Sequence, residues 1–191
     1  MMGKVIAEIT MSLDGFIAGP GITHKEPMGR NGQVLHEWIF NKATEADKKW
    51  LDELMYTTGT VILGHHTYST AIDDAWGGGS PFSAIAFVLC HSLPAKPVRG
   101  FVYVTGGIEE ALIRAKGTAA GKNIWVMGGA SVIQQYVKAG LIEELRLHIV
   151  PVLLMEGTRL FENIGCDPVE WIKEPVTDTP GAVHIVLRAK K

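Results

Sequence analysis

The sequence predicts an α/β fold with a mostly parallel sheet covered on both faces. Two observations carry that prediction. Short apolar runs of strand length alternate with segments whose apolar residues recur at helical spacing. Runs at residues 60–63, 84–89, 100–104 and 124–127 are apolar nearly throughout, as strands buried on both faces are. A third feature adds an antiparallel edge: residues 170–176 and 182–189 read as a hairpin turning at Thr179-Pro180-Gly181.

The elements follow in order. Residues 4–13 alternate, with Val5, Ala7, Ile9 and Met11 against Ile6, Glu8 and Thr10, until Asp14-Gly15 breaks the strand. Residues 19–32 hold Gly and Pro but no apolar period, and a loop this long in a compact domain is functional or mobile. Residues 34–41 form a short helix carrying Leu35, Trp38 and Ile39. Residues 44–56 form a longer one, with Thr44 as N-cap, Asp47 three residues on in an acidic variant of the capping box, and Trp50, Leu51, Leu54 and Met55 facing inward. The strand at 60–63 ends in Gly64-His65-His66-Thr67, and residues 107–116 are helical.

The strand at 124–127 runs through Gly128-Gly129 into an amphipathic helix with Val132, Ile133, Tyr136 and Val137 on one face. That helix ends at Lys138-Ala139-Gly140, a cation and a glycine suited to a helix C-terminus. A strand, a glycine turn and a helix N-terminus together offer backbone N–H groups and a positive dipole end to a phosphate. A plain tight connection fits the local pattern equally well. The turn is neither G-x-G-x-x-G nor a Walker A loop.

With 191 residues, a single domain spanning 1–191 is expected. The hydrophobic fraction of 47% and charged fraction of 20% are those of a globular protein, and a net charge of −2 argues against a nucleic-acid surface. No apolar run approaches the ~20 residues that cross a bilayer, so no membrane partner is expected. The opening Met1-Met2-Gly3-Lys4 leads into a strand carrying Glu8, unlike a signal peptide. Cys90 and Cys166 are too few for a disulfide framework. A cytoplasmic location is the simplest expectation.

Four segments resemble the dihydrofolate-reductase-like superfamily, and within it the reductase domain of the bifunctional riboflavin-biosynthesis deaminase-reductase and its stand-alone relatives. They are Thr10-Met-Ser-Leu-Asp-Gly-Phe-Ile-Ala18, Val61-Ile-Leu-Gly-His-His-Thr-Tyr68, Val126-Met-Gly-Gly-Ala-Ser131, and the block from Gly140-Leu-Ile-Glu-Glu-Leu through Pro151-Val-Leu-Leu to Gly157-Thr-Arg-Leu-Phe161. The resemblance spans nearly the whole chain. It implies a dihydrofolate-reductase-like sheet that binds NADPH across its carboxyl edge, hydride transfer to a small heterocycle or ribosyl-pyrimidine, and a homodimer.

By that resemblance Gly128, Gly129, Ala130, Ser131 and Val132 hold the cofactor pyrophosphate, and Thr10 and Ile17 line the cofactor. Gly64, His65, His66 and Thr67 stand where the family has Gly-Arg-x-Thr, whose arginine reaches the adenosine 2′-phosphate. Here His65 replaces it, and a mostly neutral imidazole is a weaker phosphate partner, so NADH stays open beside NADPH. His91 or Ser92, after the strand at 84–89, stands at the adenosine side, although an ordinary surface turn fits too. Ser12 and Trp38 are the substrate-side candidates, with a core role open for Trp38. Asp14 orients substrate or merely makes its turn. Asp47 in Asp-Lys-Lys-Trp-Leu resembles the acid of dihydrofolate reductases that recognises the pterin and assists protonation, or merely supports its helix N-terminus, so Asp14 and Asp47 are the catalytic candidates.

The deaminase zinc motifs His-x-Glu and Pro-Cys-x-x-Cys and the G-x-S-x-G elbow are absent, and no metal site is expected. The reading is an NAD(P)H-dependent reductase acting on a ribosyl-pyrimidine, with dihydrofolate reduction and a non-catalytic nucleotide-binding protein as alternatives.

Overall fold

The computed structural model describes residues 3–165 and 167–190. Met1, Met2 and Cys166, which entered the sequence reading, lie outside the described residues. In chain order the elements are β1 (Val5–Ser12), β2 (Phe16–Ala18), a 3-10 turn (Gly32–His36), α1 (Glu37–Phe40), α2 (Glu45–Thr57), β3 (Thr58–Gly64), α3 (His65–Ala71), β4 (Ile85–Leu89), β5 (Phe101–Val104), α4 (Gly107–Thr118), β6 (Asn123–Gly128), α5 (Ala130–Lys138), β7 (Glu144–Val150), β8 (Thr158–Arg159), β9 (Trp171–Lys173), β10 (Thr177–Asp178) and β11 (Val183–Ala189).

Among the described residues nine strands form one sheet in the order β10-β11-β7-β1-β6-β3-β4-β5, with β9 also on β11. The strands from β7 to β5 are parallel, and β11 joins β7 antiparallel. The chain leaves β1, skips one place to β3, runs outward through β4 and β5, and returns with β6 to fill the gap. Chain order therefore reverses around β1, β6 and β3. In open α/β sheets that reversal leaves a crevice at the carboxyl ends of the strands, where ligands bind.

The two faces of the sheet differ. Val5, Ala7, Ile124, Val126, Leu145 and Leu147 pack against α4 and α5 through Ala111, Leu112, Ile133 and Tyr136 in an apolar core. On the other face, Val61, Leu63, Ala86 and Val88 pack with Tyr68 and Ile72, and a smaller cluster joins Leu35, Trp38, Val150 and Ala182. The alternation read in β1 does not set a wet face against a dry one. Glu8 and Thr10 are buried, because β1 is a central strand and its polar side meets Arg146 and His148 of β7 rather than water.

Three other differences have local causes. The sequence hairpin is split: β9 and β10 both pair with β11, and the ladder breaks at Pro175, which has no N–H to donate. On α2, Asp47 and Leu54 are the buried positions, while Leu51 is 38% exposed at the flank of the stripe. Phe16–Ala18 pairs with Thr158–Arg159 in a separate ribbon that no sequence signal announced. Gly157 makes that ribbon possible: its φ is +132, and a Cβ there would lie 2.1 Å from the Ala18 carbonyl oxygen.

Candidate functional site: two glycine turns at the carboxyl edge

β3 and β6 are neighbours, with Leu63 opposite Gly128, so the turns that follow them meet. Gly128 has φ +128, a conformation that favours glycine, and its peptide bond to Gly129 is cis. A Cβ on Gly64 would stand 3.0 Å from Val132 Cγ2, and one on Gly129 would stand 3.3 Å from Thr67 Oγ1. The two turns thus interlock, and bare backbone lines the seam. Val132 N–H and Ile133 N–H donate to the Gly129 carbonyl at 3.0 and 3.2 Å, which starts α5 at this edge. Ala130 is buried and Ser131 is exposed, with Gln135 Nε2 donating to its hydroxyl at 3.3 Å. The leading N–H groups of a helix have no partner within it, so this seam offers donors and a positive dipole end.

Gly64 pairs with Leu89 of β4, so the turn after β4 lies one strand further along the same edge. His65, His66, His91 and Ser92 are all exposed there, and Thr67 is half-buried. The His66 carbonyl accepts from Thr70 Oγ1 at 2.8 Å, which fixes the first turn of α3 and leaves both imidazoles outward. The structure therefore brings together Gly64, His65, His66, Thr67, His91, Ser92 and the 128–132 turn.

The β1 candidates divide. Ile17 on β2 is buried in the apolar core. Thr10 faces the opposite side of the sheet and accepts from Trp38 Nε1 at 3.2 Å, so Trp38 is core and covers Thr10 at once. Ser12 is fully buried, donating to Asp14 Oδ1 at 2.5 Å and accepting from Phe16 N–H at 2.9 Å. Asp14 accepts from the N–H groups of Leu154 at 3.1 Å and Met155 at 2.8 Å. Burial pushes its carboxyl up, but the Ser12 hydroxyl and these two amides outweigh it and hold the group below the usual aspartate value. Asp14 thereby pins the segment after β7 to the turn after β1.

Asp47 closes the capping box and does more. Its Oδ2 accepts from Thr44 N–H at 2.8 Å and Thr44 Oγ1 at 2.6 Å. Its Oδ1 accepts from Thr179 Oγ1 at 2.8 Å and faces His184 Nε2 at 3.1 Å. Burial raises this carboxyl, but the hydrogen bonds from Thr44, Thr179 and His184 outweigh that and hold it below the usual aspartate value, so it stays ionised. Both oxygens are thus committed to holding α2 against the C-terminal hairpin.

Sequence reasoning missed a polar file on the same sheet face. From Asp47 it runs to His184, then across 2.7 Å between the Nδ1 atoms of His184 and His148. His148 Nε2 lies 3.0 Å from Glu8 Oε1, Glu8 Oε2 lies 3.3 Å from Arg146 Nη1, and Arg146 Nε donates to Glu144 Oε1 at 2.7 Å. Lys4 Nζ ends the file on Glu144 Oε2 at 2.6 Å. Trp38 and Trp50 lie over both histidine rings. The signal was present: Glu144, Arg146 and His148 alternate along β7, and period two places them on one face. Among the described residues no cluster of three or more His, Cys, Asp or Glu is arranged to hold a metal ion. No helix there is long and apolar enough to cross a membrane.

Comparison with known proteins matches this architecture. The family model described as the RibD C-terminal domain matches residues 3–184. The Bacillus subtilis protein YyaP, itself uncharacterized, is 26% identical over 175 residues, covering 84% of this chain and 81% of its own. The crystal structure of a putative riboflavin biosynthesis protein from Shewanella sp. PV-4 superposes with a TM-score of 0.77 at 21% identity, covering 98% of this chain and 99% of that one. A dihydrofolate reductase from Enterococcus faecalis, complexed with NADP(H) and RAB-propyl, has a TM-score of 0.66 at 18% identity over 100% and 99% of the chains. At these identities the structural likeness establishes the dihydrofolate-reductase-like fold.

Proposed function

The chain belongs to the RibD C-terminal domain family, and from that premise we propose that it is an NAD(P)H-dependent reductase of a small heterocycle, a ribosyl-pyrimidine such as 5-amino-6-(5-phosphoribosylamino)uracil. The observation that carries the proposal is the seam of the two glycine turns. Side chains at Gly64 or Gly129 would crowd Val132 or Thr67, so the backbone there is kept bare where a diphosphate could approach.

In this reading the residues of the 128–132 turn hold the pyrophosphate through backbone N–H groups, with Thr67 and Gly64 closing the other side. His65, His66, His91 and Ser92 face the adenosine end. A bound nicotinamide supplies the hydride. Ser12 and Asp14 fix the β1 turn and the segment at Leu154 and Met155, giving the reacting ring a rigid wall. Trp38 bounds the substrate side, with its indole N–H on Thr10. Asp14 and Asp47 act as positioning groups, and solvent supplies the proton to the substrate heteroatom. The same reading takes the protein as a cytoplasmic homodimer.

One observation favours the second reading, a nucleotide-binding protein without catalysis: both candidate acids, Asp14 and Asp47, spend their oxygens on bonds within the protein. The deciding experiment follows NADPH absorbance with the ribosylamino-uracil phosphate and with dihydrofolate. Substrate-dependent oxidation of NADPH supports the reductase. Saturable cofactor binding without turnover of either compound supports the binding protein.

A further inference from the structure

Two buried histidines meet on the polar face, and their hydrogen-bond arithmetic is constrained. His184 Nε2 faces Asp47 Oδ1 at 3.1 Å, and His148 Nε2 faces Glu8 Oε1 at 3.0 Å. With both carboxylates as acceptors only, both Nε2 atoms carry protons. The two Nδ1 atoms stand 2.7 Å apart, which requires one proton between them and a lone pair to receive it. The pair therefore holds three protons on four ring nitrogens, one more than two neutral imidazoles. That extra charge offsets carboxylates of the file: Asp47, Glu8, Glu144 and the exposed Glu53 stand against the pair, Arg146 and Lys4.

We propose that His148 and His184 form a single-proton clasp, which holds the C-terminal hairpin on α2 while it carries one shared proton and opens when it takes up a second. A fourth proton would set two N–H groups head to head where one hydrogen bond now stands. Burial, and then the charge on His148, hold His184 below the usual imidazole value, against the pull of Asp47 and Glu8. The sign follows. For the second proton, the depressed folded value of His184 means that the clasp loses its contribution as pH falls through that value.

The groups facing the pair come from every element packed on it: Glu8 of β1, Arg146 of β7, Asp47, Trp50 and Glu53 of α2, His36 and Trp38 of the segment before α2, and Thr179 of the hairpin turn. Opening has a defined reach. Thr179 bonds Asp47, and a Cβ on Gly181 would lie 2.8 Å from Trp38 Cβ, so the hairpin turn covers Trp38. Releasing it loosens the cover over Thr10. This inference is independent of the reductase reading.

The test uses the full chain labelled with ¹⁵N-histidine. At neutral pH the ring-nitrogen spectrum is expected to count three protonated nitrogens across His148 and His184. On acidification the fourth proton enters, and amide protection at Thr177, Asp178, Val183 and His184 falls at the same midpoint. His36 is a competing buried imidazole, so the acid series is repeated in His36→Phe, which stays able to stack on Phe40. Persistence of the hairpin transition in that variant supports the clasp. Two protonated nitrogens at neutral pH, hairpin protection unchanged when the fourth proton enters, or a transition that vanishes with His36→Phe would each overturn it.

Discussion

Replacing Asp47 by alanine separates a structural carboxylate from a catalytic one. The side chain is 1% exposed and receives hydrogen bonds from Thr44 N–H, Thr44 Oγ1 and Thr179 Oγ1, with His184 Nε2 at 3.1 Å. Losing the reciprocal cap costs about 1 kcal/mol. Leaving the Thr179 and His184 donors without their charged partner costs about 1 kcal/mol each at the low end. The Thr179 hydroxyl keeps one fallback, the Ala182 carbonyl at 3.1 Å. The sum for Asp47→Ala is about 3 kcal/mol. Urea unfolding followed by tryptophan fluorescence reads it directly: with a slope of ~2 kcal/mol/M, the midpoint falls by ~1.5 M. Asp47→Asn keeps one acceptor oxygen and should lose roughly half as much. An Asp47→Ala protein as stable as wild type would refute this reasoning. If that stable protein had also lost turnover, Asp47 would be a catalytic acid after all.

Further outcomes follow from other residues. His65→Arg should tighten NADPH selectively over NADH, since a guanidinium binds phosphate bidentately where an imidazole does not; a wild-type preference for NADPH above ~100-fold, or ~2.7 kcal/mol, would place the discrimination elsewhere. Amide exchange across residues 22–31 should be fast in the free protein and slow with cofactor and substrate: Gly19 N–H to the Met28 carbonyl and Arg30 N–H to that of Pro20 close the loop's base, and beyond them it holds a local turn at Thr23–Glu26, Gly29 N–H on the Glu26 carbonyl and an exposed Arg30–Glu156 ion pair. Equal exchange in both states would show that the loop does not close over bound ligand. Among the described residues His36 has no partner for its buried Nδ1, and burial together with His148 drops it from 6.5 to about 4. Its contribution is complete above the ordinary value and is lost toward the lower one, worth roughly 3 kcal/mol across that span. His36→Phe should flatten acid unfolding there, and an unchanged acid limb would show that the imidazole titrates elsewhere.

The parts of this fold legible in the sequence were those set by local period and turn chemistry. Thr44 and Asp47 announced α2, and the apolar runs announced β3, β4 and β6. Period alone could not show that Glu8 points into protein rather than water, because that depends on which strand β1 pairs with. Its partner β7 lies more than a hundred residues on. The ribbon of β2 and β8 was hidden for the same reason: each strand is two or three residues long and exists only through the other. At the candidate site the sequence placed the glycine turns, and the register of β3 against β6 brought them into contact. Of the two readings of Trp38, the structure gives the core one: it packs there while its indole N–H donates to Thr10.

The central claim is that the seam between Gly64–Thr67 and Gly128–Val132 holds a nicotinamide dinucleotide. Its most direct test titrates NADPH and NADH into wild type and Gly129→Val at fixed pH, using the fluorescence of the five tryptophans. The account predicts saturable binding by wild type and a dissociation constant at least about tenfold higher in the folded variant, or ~1.4 kcal/mol. No saturable binding of either dinucleotide to wild type, or equal binding by a folded Gly129→Val, would contradict it.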